Sequence, residues 1–293
     1  MASLTRMSEN GTPVRIRHFT DPTCPFAFTA ERQRLRLRWL YGDQLQWTTH
    51  MVVLSETPPT GFTAERVAAG RRRLHEQYGM PMAWTPLPKL VASIHGSRAV
   101  VAVRERDADR CEVLLRRLRV LTFMGLAIDE PAVLDRAAEE AGLDPAAVRG
   151  WTADADVEEA LRADMRASRS PSPASRAQDY KLGGPEEERR YTCPSYELER
   201  TAPPPPDWPT TMRVDLPGFR PVEAYEAAIA NLAPELTRRA DPDGVEAVLD
   251  WAGMPLATAE VAAVCDREIA DVREVLSQTA RFEPVGGDGY WSR

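Results

Sequence analysis

From Val14 to Phe19, apolar Val, Ile and Phe alternate with Arg and His. A period of two is the pattern of a β-strand that buries one face. From Phe28 to Tyr41 the spacing becomes helical, with Leu35, Leu37, Trp39 and Leu40 set among arginines and Gly42 as a C-cap. Leu45 to Leu54, rich in Trp, Thr and Val, predicts a second strand. A strand, a crossover helix and a strand make a βαβ unit with parallel strands. The pattern then stays helical for more than a hundred residues, over 63–78, 91–105, 110–123, 130–141, 145–151 and 157–168. Asp129-Glu130-Pro131 and Asp144-Pro145 are helix starts, and Gly79, Pro81 and Gly142 are stops.

Ser, Pro, Ala and Gly dominate 168–184, which predicts a loop. Strand character returns at 190–199, an extended proline-rich segment spans 202–209, a strand is expected over 212–219 and a helix over 221–232. The strands therefore bracket an inserted helical block. Beyond residue 241, helices at 243–251, 258–265 and 268–280 precede a hairpin, 281–285 and 290–291, around Gly286-Gly287-Asp288-Gly289. Three helices and a hairpin outline a winged helix. The expected fold is α/β: a sheet domain from 1–62 and 186–236, an all-helical insertion at 63–185 and a small C-terminal domain at 241–293.

A chain of 293 residues with ordinary apolar content is globular and long enough for two domains. No apolar run approaches the ~20 residues that span a bilayer. Met1 to Pro13 is polar and lacks the apolar stretch of a signal peptide, so the expected location is the cytoplasm. Segment 241–293 carries eleven acidic and four basic residues, a balance of −7 that equals the net charge of the whole chain. Its last helix would face phosphates with Asp271 and Glu274 against Arg273, so nucleic acid is not the expected partner. A protein partner, a homodimer contact or a lid fits that charge better. Arg32, Arg34, Arg36 and Arg38, and the run Arg71-Arg72-Arg73, read as solvated faces.

Chemistry concentrates at Cys24, in Asp21-Pro22-Thr23-Cys24-Pro25-Phe26-Ala27-Phe28. A cysteine between a strand and a helix meets free N–H groups that stabilise a thiolate. The competing reading is a buried, inert thiol. His18 ends the strand before it, and a nearby imidazolium would acidify the thiol. However, His18 and Phe19 point to opposite faces, so one of them is core-facing. Cys111 and Cys265 fall on apolar helix faces and read as core.

Phe19-Thr20-Asp21-Pro22-Thr23-Cys24-Pro25-Phe26 resembles the active-site turn of the DsbA-type branch of the thioredoxin fold, which includes FrnE-like oxidoreductases, kappa-class glutathione transferases and hydroxychromene carboxylate isomerases. Arg190-Tyr191-Thr192-Cys193-Pro194-Ser195-Tyr196 resembles the family's second landmark, a strand entered through a cis-proline, here Pro194. The resemblance implies a thioredoxin-like βαβ…ββα sheet, a helical insertion after the second strand, and a substrate groove formed by Pro25, Phe26, Thr192 and Pro194. It departs from the family at one point: the second active-site cysteine is replaced by Ala27.

Three chemistries remain for Cys24. It can exchange as a monothiol with a disulfide or a low-molecular-weight thiol adduct. It can pair with Cys193, which the resemblance places beside the active-site sulfur. Least expected is a soft metal held with His18 or His50. No tightly bound cofactor or metal is expected; a small thiol would serve as co-substrate. Trp84, in Met80-Pro81-Met82-Ala83-Trp84, is a candidate lining for an apolar cleft above Cys24. The leading expectation is thus a thiol-dependent oxidoreductase, transferase or isomerase acting on a small-molecule or protein thiol or disulfide. The alternative is a binding protein that has lost turnover, for which the family's adaptor branch, which hands client proteins to a protease, is the precedent.

Overall fold

The computed structural model describes residues 13–204, 206–209 and 212–293. The leader-free reading of Met1–Pro13, all but its last residue, and part of the proline-rich segment lie outside them. β1 (Val14–Thr20) is followed by a short α1 (Pro25–Thr29), α2 (Glu31–Tyr41) and β2 (Leu45–Met51). The inserted block comprises α3 (Ala64–Tyr78), α4 (Ile94–Arg106), α5 (Ala108–Phe123), α6 (Pro131–Glu140), α7 (Pro145–Thr152), α8 (Ala155–Ser168) and α9 (Pro173–Arg176). Two-residue strands β3 (Leu182–Gly183) and β4 (Arg190–Tyr191) pair antiparallel and lead into β5 (Ser195–Arg200), β6 (Arg213–Leu216) and α10 (Val222–Leu232). The main sheet runs β2-β1-β5-β6, with β1 and β2 parallel and the other pairs antiparallel.

The last block contains α11 (Val245–Ala252), β7 (Leu256–Ala257), α12 (Thr258–Cys265), α13 (Ile269–Thr279), β8 (Arg281–Val285) and β9 (Asp288–Ser292), with its strands ordered β7-β9-β8. This block does not stand apart from the rest. Leu256, Val261, Val264 and Trp291 share one buried cluster with Leu35 and Trp39 of α2 and with Val14 and Ile16 of β1. Glu260 of α12 forms a buried ion pair with Arg116 of α5. The hairpin turn presses on the insertion so closely that a Cβ on Gly286, whose φ is +58°, would meet the Met82 carbonyl at 1.9 Å.

That packing corrects the reading of α2 as a helix with a solvated arginine face. α2 lies between the sheet, the insertion and α12, and it buries Arg34 and Arg36. Arg36 donates to the Val264 carbonyl at 2.6 Å and pairs with Asp241 at 2.9 Å. Arg34 pairs with Glu31 at 2.9 Å and also with Glu112. Burial of a guanidinium is tolerated only with such partners. Arg71 is likewise buried, over the Phe123 ring. Cys111 and Cys265 are buried free thiols. No helix among the described residues is long and apolar enough to cross a membrane.

Candidate active site at the Cys24 turn

The turn after β1 is built on Asp21. Its Oδ1 accepts the Thr23 N–H at 2.8 Å and the Thr23 hydroxyl at 2.6 Å, and its Oδ2 accepts the Leu54 N–H at 2.8 Å. This carboxylate ties the turn to the chain beyond β2. The Asp-x-Thr spacing is an Asx-turn signal that sequence reasoning passed over. Cys24 is the N-cap of α1 and Pro25 occupies the first helical position, where its missing N–H costs nothing.

The Cys193–Pro194 peptide bond is cis. The Cys24 Sγ donates to the Cys193 carbonyl at 3.3 Å. Both cysteines belong to one buried cluster. Donation from the Cys193 thiol is the largest influence holding the Cys24 thiol below its ordinary range; burial opposes it, and the amides of Ala27 and Phe26 assist it. Burial pushes Cys193 well above its ordinary value. The two thiols are thus shifted in opposite directions, Cys24 toward the more acidic and Cys193 toward the less acidic. In place of a second cysteine, Ala27 packs with Phe19, Val52, Leu182 and Tyr191 around both sulfurs.

The site is covered. Cys24 is 7% and Cys193 6% exposed. Leu182 of β3 belongs to the apolar cluster around them, held there by pairing with Tyr191 of β4. On the open side, Phe26 is 44% exposed and meets Phe219 edge-on at 6.2 Å, and Phe219 lies 5.2 Å from Tyr78.

Three expected site residues are placed elsewhere. His18 shares its strand face with Val14 and Ile16 and stacks on Tyr196 at 4.8 Å, among Arg34, Arg119 and Glu112. Phe19, on the other face, is the residue that reaches the thiols, so His18 cannot acidify Cys24. Trp84 packs beside His75 at 5.4 Å and against Gly287 of the hairpin turn, not over Cys24. Thr192 is turned inward: its hydroxyl donates to the Lys181 carbonyl at 2.7 Å and its own carbonyl accepts from Ser195 at 2.6 Å. Its role is to hold the loop before Pro194, not to meet substrate through those groups. His50 is bound to Asp164 at 2.9 Å and to Arg17 at 3.4 Å, and no group of three His, Cys, Asp or Glu suited to a metal occurs among the described residues. Asp21, Leu182 and Ser195 shape the site, and sequence reasoning assigned a role to none of them.

The DsbA-like thioredoxin domain profile matches residues 15–171, more than half of the chain, and the protein belongs to that family. Three solved structures share its fold. A putative protein disulfide isomerase from Nitrosomonas europaea aligns at a TM-score of 0.58 with 14% identity, covering 76% of this chain and 98% of that one. A probable DsbA oxidoreductase from Streptomyces coelicolor aligns at 0.55 with 18% identity, over 78% and 94% of the two chains. The cytosolic disulfide reductase DsbM from Pseudomonas aeruginosa aligns at 0.52 with 17% identity, over 75% and 98%. No curated protein sequence matches significantly. These neighbours are covered almost whole, whereas about a quarter of this chain has no counterpart in them.

Proposed function

We propose that the protein is a thiol–disulfide oxidoreductase in which Cys24 is the nucleophile and Cys193 the partner thiol, replacing the cysteine that Ala27 displaces. The observation that carries this reading is the placement of both thiols in one buried cluster, with Cys24 Sγ on the Cys193 carbonyl at 3.3 Å, and their acidities shift in opposite directions. The Cys24 thiolate attacks a substrate disulfide, forming a mixed disulfide and expelling one substrate thiolate, which takes up a proton. Cys193 then loses its proton and attacks Cys24 Sγ. This releases the second substrate thiol and leaves a Cys24–Cys193 disulfide, two electrons having passed to the substrate. Two equivalents of a low-molecular-weight thiol restore the dithiol and leave as their own disulfide. Because β3 already occupies the edge of β4, the site suits a small disulfide entering beside Phe26 better than an extended protein strand. A cytosolic setting fits, since it keeps a catalytic dithiol reduced.

The test is a thiol count after mild oxidation with diamide. Loss of two alkylatable thiols per chain, abolished by Cys24→Ser or Cys193→Ser, supports the pair. Retention of both Cys24 and Cys193 as alkylatable thiols would falsify it. Turnover that survives Cys193→Ser assigns the reaction to monothiol exchange at Cys24. The burial of Cys24 favours one second reading, a binding protein without turnover. A slow, pH-independent alkylation of Cys24 selects that reading.

A further inference from the structure

Residues 178–189 form a strap beside the two thiols. Its Leu182 is buried in the cluster that holds Cys24 and Cys193. The strap pairs antiparallel with β4, Leu182 opposite Tyr191 and Gly183 opposite Arg190. The same register sets Lys181 beside Thr192, whose hydroxyl donates to the Lys181 carbonyl at 2.7 Å. An extended backbone thus lies along the residues that lead into the cis bond at Pro194, with one apolar side chain set among those around the sulfurs.

The strap is tied to itself more firmly than to its surroundings. Arg189 grips the Asp179 carboxylate with two hydrogen bonds, at 2.7 and 2.6 Å, and also donates to the Gly184 carbonyl. The Lys181 N–H donates to the Gln178 carbonyl at 2.8 Å and the Glu188 N–H to the Pro185 carbonyl at 3.1 Å. Gly184 has a φ of +83°, and a Cβ there would meet the Glu188 carbonyl oxygen at 2.5 Å, so the turn closes on itself. Beyond the two-residue ladder, its side-chain hydrogen bonds to other described residues are those from Thr192 to Lys181 and from Arg220 to the Gln178 side-chain oxygen. Its tip, residues 184–188, is exposed. A segment rigid within and lightly fastened without opens as one unit.

An extended polypeptide binds a sheet through main-chain hydrogen bonds along a strand edge and through side chains set into pockets. The strap fills both places itself. We propose that residues 178–189 are an autoinhibitory strap that occupies the position of an extended polypeptide disulfide. Closed, it restricts the site to small disulfides entering beside Phe26; released, it frees the edge of β4 and the Leu182 socket for a protein substrate. The inference rests on Cys24 as nucleophile. The exchange is the one given above: a bond forms between Cys24 Sγ and one protein sulfur, the protein S–S bond breaks, and the expelled thiolate takes up a proton.

Pre-reduced full-length protein is mixed with insulin or with hydroxyethyl disulfide, and the loss of its thiols is followed. The triple variant Asp179→Asn, Leu182→Ala, Arg189→Gln opens the clamp and empties the socket; amide hydrogen exchange at Leu182, Gly183, Arg190 and Tyr191 reports the release. The insulin rate divided by the hydroxyethyl disulfide rate should rise about tenfold over wild type, the effect of a tenfold larger open population. Taking the ratio removes any general gain in thiol access. The double variant Asp179→Asn, Arg189→Gln replaces no buried side chain and should move the ratio the same way by less, which keeps the test open if the triple variant fails to fold. The proposal is overturned if the ratio keeps its wild-type value while exchange shows the strap released, if exchange is unaltered in both variants, or if the wild-type strap already exchanges as an unpaired loop. Reduction of hydroxyethyl disulfide with an unmoved ratio defeats this inference alone. Reduction of neither disulfide by any of these proteins defeats the oxidoreductase reading and this inference with it.

Discussion

Strand β1 separates two environments that differ in kind. On the Phe19 side, Phe19, Val52, Leu182 and Tyr191 form an apolar sleeve around two thiols. On the His18 side lies a buried set of charges: Arg34 and Arg119 on Glu31, and Arg34 and Arg38 on Glu112. The charged side is the more polar of the two, yet it contributes nothing to the thiol. Its carboxylates and guanidinium ends pair with one another rather than with Cys24. The apolar side contributes the chemistry, because there the Cys193 side chain and two amides outweigh burial and lower the Cys24 thiol below its ordinary range. Burial with mutual pairing makes structure, and burial with one ionisable atom left facing its neighbour makes reactivity.

The largest expected effect comes from breaking the charged side. Arg119 is buried, paired with Glu31 and hydrogen-bonded to Thr20. Arg119→Met should destabilise the protein by ~3–5 kcal/mol, since it leaves a carboxylate buried without one of its cations. Urea denaturation measures this. The contrast between the two sides requires that the folded variant keep its Cys24 alkylation rate; a changed rate would mean that the sides are coupled.

Next in size is removal of the cover. Leu182→Ala takes a side chain from the sleeve while leaving the β3–β4 backbone pairing in place. Cys24 alkylation should accelerate by about tenfold, the equivalent of ~1.4 kcal/mol of opening free energy. An unaltered rate would show that reagents enter beside Phe26 without displacing β3.

A smaller effect separates the sides by pH. Burial, reinforced by Arg34 and Arg119, holds the His18 imidazole well below its ordinary value of 6.5. Below about pH 6.5 the unfolded chain therefore binds a proton that the folded protein does not, and stability falls as the pH is lowered. The limiting slope for one proton is ~1.4 kcal/mol per pH unit. For Glu31, burial alone would raise the carboxyl, but Arg34 and Arg119 outweigh it and hold it below its ordinary 4.5. Its loss of stability thus begins only at lower pH. Between pH 6.5 and 5 the slope should vanish in His18→Phe, as measured by denaturant midpoints, while thiol reactivity stays unchanged.

Much of this architecture can be read from residue patterns. The period of two in Val14–Phe19, the proline-marked helix starts at Pro131 and Pro145 and the closing hairpin all coincide with observed elements to within a few residues. The alternation also implies that His18 and Phe19 diverge, although it does not say which of them meets the thiol. Three features are not legible locally. The burial of Arg34 and Arg36 depends on partners as distant as Glu112 and Val264. The strap at Leu182 is a two-residue strand, too short to carry any periodicity. The amide of Gln33 is buried on the Arg220 carbonyl, 187 residues away in the sequence.

The finest test of the apolar side isolates the influence of the Cys193 side chain on Cys24. Donation from Cys193 is the largest influence lowering the Cys24 thiol, and the amides of Ala27 and Phe26 act in the same direction with smaller effect. Cys193→Ala removes that donor and leaves the amides and the burial. The Cys24 thiol should then become less acidic, and the midpoint of its alkylation rate against pH should move upward. At neutral pH a smaller thiolate fraction lowers the rate, in part offset by the greater intrinsic nucleophilicity of a more basic sulfur. Cys193→Ser offers an O–H in place of the S–H and should recover part of the shift. If instead both variants keep the wild-type midpoint, the helix amides alone set the acidity of Cys24, and the turn at Pro194 serves only to close the site.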